Sequence, residues 1–211
     1  MLLRRIVFNY DNDYKRVTSF LGLYENGGGP GGDGGVDSNP RIQTYIYVLE
    51  GATGRAYYRN GESVHMVGGI GSVFIHELCH LIFFGNHYSP PYNFGAPNSQ
   101  DPDNPPYPNN WYVKFLPIMA QVVFYDDYDE SAVPKELFVD WEYGPDQDYR
   151  TYILLAQFLV EKYGNAIFYD LFHDAAINKE ALENVLRKRG STISVMEIEF
   201  TAWCNNGGTQ S

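Results

Sequence analysis

The 211 residues carry 26 Asp and Glu against 15 Lys and Arg, a formal net charge of −11. That anionic excess argues against nucleic acid or an anionic membrane as a partner. A hydrophobic content of 44%, with 18 Tyr and 13 Phe, belongs to a globular chain rather than a disordered one, and the length suits a single domain of one or two lobes. No apolar run approaches the roughly 18 residues needed to cross a bilayer. The opening Met1-Leu2-Leu3-Arg4-Arg5-Ile6-Val7-Phe8 is too short for an export signal.

Residues 1–24 mix polar and apolar positions and read as one or two strands. Glu25 to Gly35 holds seven glycines and reads as a surface loop. It lacks the G-K-[ST] ending of a phosphate loop, and Asp33 with Asp37 offers a possible calcium site. The β-branched and aromatic run Arg41 to Leu49 reads as a buried strand. Ala56-Tyr57-Tyr58-Arg59, an Asn60-Gly61 turn and Ser63-Val64-His65-Met66-Val67 read as a hairpin. The second hairpin strand is expected at a sheet edge, where an extended peptide could pair with it. His65 on that strand is read as a surface residue.

Gly68-Gly69-Ile70-Gly71 leads into Phe74-Ile75-His76-Glu77-Leu78-Cys79-His80-Leu81-Ile82-Phe83-Phe84, with Ser72 as N-cap and Gly85 as the stop. His76-Glu77-Leu78-Cys79-His80 fits H-E-x-x-H. Residues four apart stack on one face of a helix, so both imidazoles can reach one metal ion, while Glu77 can act on water without binding the metal. Two imidazoles and a carboxylate set in an apolar helix would cost several kcal/mol unpaired, and a metal is a common way to offset that. Cys79, three residues from His76, is angled away from His80 and reads as a buried thiol. A bridge to Cys204, the second cysteine, is open for an exported protein.

Residues 86–110 are dense in Pro, Asn, Asp and Tyr and read as a long functional loop, with Asp101, Asp103 and Asn104 as further calcium candidates. Helical character follows: Trp111 to Tyr125 with Pro117 inside, a short helix near Pro134 carrying Glu136 and Asp140, Tyr149 to Tyr163 closed by Gly164, then 165–175, 178–188 and 193–204. The expected class is therefore α+β: a sheet lobe with the metal helix (1–88), a loop (89–110) and a helical lobe (111–211) in one domain.

This order, with H-E-L-C-H, resembles the zincin metallopeptidases. Asp140-Trp141, Asp148 to Leu155, Phe158 to Gly164 and Phe200-Thr201-Ala202-Trp203 are similar to the hyicolysin-type, immune-inhibitor-like branch. The resemblance implies a zincin-like fold with an N-terminal mixed sheet, a zinc ion on His76 and His80, a third protein ligand downstream, and export. It leaves that third ligand open. The segment aligning with the branch's ligand Glu places Lys114 there, and a protonated lysine cannot ligate zinc. Glu136 with Asp140 resembles the gluzincin E-x-x-x-D, where the Glu ligates and the Asp orients a histidine. His87 is the metzincin-like alternative, arriving later than that spacing requires, and a site without a third protein ligand is the last.

The expected activity is zinc-dependent endopeptidase action on a peptide or protein substrate. Glu77 serves as general base, Tyr149 or Tyr152 as a donor to the oxyanion, and the protein is a monomer. The alternative is a catalytically inactive binding or structural module, for which Lys114 is the main support.

Overall fold

A computed structural model describes residues 12–22, 43–47, 53–57, 63–67, 71–87, 111–125, 149–176 and 179–208. The chain divides into two compact units, Met1–Pro106 and Tyr107–Ser211.

The first described element of the first unit is a helix, α1, over residues 12–20. Asp13, Val17, Thr18 and Leu21 are buried, whereas Asn12, Lys15, Arg16 and Ser19 are exposed. That spacing of three to four is helical, and it replaces the strand expected here. The Thr18 hydroxyl donates to the Tyr14 carbonyl at 2.7 Å, one turn back, and so stays within the helix.

Three short strands follow: β1 (Gln43–Tyr47), β2 (Thr53–Tyr57) and β3 (Ser63–Val67). The sheet order is β1-β3-β2. β1 runs parallel to β3, with Tyr45 opposite His65, and β2 runs antiparallel to β3, with Arg55 opposite His65. The expected hairpin is therefore present as β2 and β3. Its second strand is central rather than at an edge, because both of its ladders are taken. No peptide can pair with β3.

The helix after β3, α2, runs Gly71–His87 and packs against β2 and β3. It passes through Gly85, the expected stop. A glycine costs about 1 kcal/mol inside a helix, which the burial of Ile82 and Phe83 just before it can outweigh.

The described residues of the second unit form five helices: α3 (Trp111–Phe124), α4 (Tyr149–Tyr163), α5 (Ala166–Phe172), α6 (Lys179–Lys188) and α7 (Ile193–Asn205). The α4 helix packs on α3, α5 and α7, and α6 bridges α5 and α7. Each helix presents an apolar stripe at helical spacing, as in Ala181, Leu182, Val185 and Leu186 of α6, or Ile193, Met196, Phe200 and Cys204 of α7. Aromatic contacts join the layers: Phe115 with Tyr152, Phe124 with Phe168, and Phe158 with both Phe200 and Trp203. Tyr112 donates its hydroxyl to the Leu171 carbonyl, tying α3 to α5.

The ends of these helices are fixed by short-range chemistry. Gly190 takes φ 75° after α6, and Ser191 N–H returns to the Leu186 carbonyl at 3.0 Å, a left-handed closure that glycine makes cheaply. Thr192 then caps α7 by accepting Val195 N–H. The basic run Arg187-Lys188-Arg189 is neutralised within the unit, through Glu183, Asp174 and Asp170 respectively.

The α+β, zincin-like expectation is overturned by where the described packing lies. Every described buried hydrophobic side chain except Leu21, in the turn closing α1, and Val64, on β3, belongs to a helix. The described interior is in effect all-helical. Among the described side chains, Val64 is the strands' contribution to that interior.

Candidate functional site

On α2 the residues Phe74, Ile75, Leu78, Cys79, Ile82 and Phe83 are all buried. That pairwise recurrence every four residues is the inward face of the helix. Val73, His76 and His80 are only half-buried and lie outside that face. The sequence thus folds both histidines onto the side of the helix that its core does not consume.

The His76 and His80 ring centroids stand 5.0 Å apart, with their planes at 72°. Two imidazoles sharing one tetrahedral ion at about 2.0–2.1 Å would hold their centroids about 5 Å apart. The donor chemistry fits as well. Burial lowers the His80 pKa well below its ordinary value, and the charge of His76 lowers it further, so the ring is the neutral form that ligates a cation.

Glu77 follows His76 directly and is 7% exposed. At 3.6 residues per turn, Glu77 and Cys79 lie on opposite flanks of the histidine face. Glu77 is a buried carboxylate next in sequence to His76, while Cys79 is a wholly buried free thiol whose pKa is pushed up by burial.

The remaining expected site residues fall differently. His87 is the last residue of α2. Seven residues of continuous helix put its backbone about 10 Å along the axis from that of His80. It could join the histidine pair only if the chain turned back after His80, and it does not. Glu136, the expected third ligand, and Asp140 lie outside the described residues, as do the calcium candidates Asp33, Asp37, Asp101, Asp103 and Asn104. Tyr149 is the first residue of α4. Tyr152 is fully buried against Phe115 in the second unit, which makes it a core residue. Lys114 lies on α3 and is half-buried.

Among the described residues, no cluster of three or more His, Cys, Asp or Glu is placed to hold a metal ion. None of the described helices is long and apolar enough to cross a membrane. The chain matches no protein-family model, no curated protein and no solved structure.

Proposed function

We propose that the chain is a zinc-dependent endopeptidase of the H-E-x-x-H type, with its reaction centre on α2. The observation that carries this reading is the histidine pair: two rings 5.0 Å apart on the half-buried face of one helix. Its second support is the carboxylate of Glu77, buried alongside. His76 and His80 would hold the ion through their imidazoles. When bound, zinc supplies Lewis acidity toward water and toward a substrate carbonyl.

The part played by the chain is proton transfer. Glu77 accepts a proton from the attacking water and returns it to the departing amine as the peptide bond breaks. Its low exposure keeps bulk water from screening that exchange. The α2 helix fixes Glu77 relative to both histidines, so the base is positioned before substrate arrives. A donor to the oxyanion must come from elsewhere in the chain.

The test pairs metal analysis with one substitution. Protein purified without added zinc should carry about one zinc per chain and cleave an unstructured protein such as casein. Glu77→Gln should keep the zinc and lose cleavage by at least a hundredfold. Protein that is folded but takes up no zinc would overturn the reading in favour of an inactive binding module. A fully active Glu77→Gln enzyme would remove Glu77 from the chemistry.

A further inference from the structure

We draw no further inference here: the strongest candidate, the exposed apolar face of α7 around Val195 and Ile198, carries nothing because the structure shows no partner or segment that covers it.

Discussion

Glu183 on α6 accepts the backbone N–H of Ile193, the first residue of α7, at 2.8 Å, and its other carboxylate oxygen takes Arg187 Nε at 2.7 Å. One side chain thus satisfies an N–H that α7 cannot satisfy internally, and does so from the neighbouring helix. The negative charge also lies at the positive end of the α7 dipole. With Thr192 on Val195, the N-terminus of α7 has two caps of different origin.

Removing this bond should loosen α7 against α6. Glu183→Ala is expected to cost about 1–2 kcal/mol, as lost caps generally do. Glu183→Gln keeps an acceptor and should cost less. The bond to Ile193, followed by that to Arg187, lowers the Glu183 pKa below its ordinary 4.5. A carboxylate lowered in the folded state stabilises above its unfolded pKa, and that contribution is lost as pH falls through the folded one. Urea midpoints of wild type and Glu183→Gln should therefore differ at pH 7 and converge below about pH 4. A gap that is constant across that range would show that the charge contributes nothing.

Two glycines should respond differently to alanine. At Gly190 a Cβ meets nothing within 4 Å, so the cost is that of holding φ 75° alone, about 1 kcal/mol. At Gly208 a Cβ would stand 2.8 Å from Trp203 Cζ3. That indole is pinned by Phe158, Phe200 and its own bond to Glu161 at 2.9 Å, so it cannot swing aside freely. Gly208→Ala should therefore shift the tryptophan emission as well as the melting temperature, whereas Gly190→Ala should shift the melting temperature only. In a double-mutant cycle, Trp203→Leu should absorb most of the Gly208→Ala cost. Additive effects would place the clash elsewhere.

The helices of the second unit were readable because each carries both a period and its punctuation. Tyr149 to Tyr163 alternates apolar and polar faces and ends on Gly164, which takes φ 75°. The motif helix was readable for the same reason, although Gly85 misled. Tertiary burial next to a glycine outweighs its propensity, and no local rule sees that burial. Residues 12–20 were missed because their mixed polar and apolar positions were read as strand, while the helical period emerges from which of them are buried. The pairing of β2 with β3 followed from proximity in sequence, but β1 joining the far side of β3 did not. That parallel ladder is a long-range choice, and it converts an expected edge strand into a central one. The histidine pair needed only the helix, so it was legible; a third ligand from outside the helix depends on chain tracing that no spacing encodes.

Cys79 supplies a check on the direction of the site. It is flanked by Leu78 and His80 yet wholly buried, with the inward-facing residues of α2. Cys79→Ala should leave zinc stoichiometry unchanged while lowering stability by about 1–2 kcal/mol through the lost packing of a small apolar group. Loss of zinc from a folded Cys79→Ala protein would make the thiol a ligand and reverse the assignment of the two flanks.

Metal binding to the folded chain should also be visible without any substrate. A ligand that binds only the native state stabilises by RT ln(1 + [L]/Kd), about 4 kcal/mol at a thousandfold excess over Kd. Because His76 and His80 belong to Met1–Pro106, the added stability should appear in the unfolding of that unit. Zinc added to chelator-stripped protein should therefore raise a transition reported by the sheet and α2. The transition of the helical unit, followed through Trp203 emission, should stay where it was. Glu77→Gln should keep the full zinc response, since the carboxylate is assigned to proton transfer and not to ligation. His80→Ala should abolish it, because one imidazole and an external ligand cannot hold the ion against competing water. A zinc response that survives in His80→Ala would put the ion elsewhere in the chain, and the peptidase reading would lose its centre.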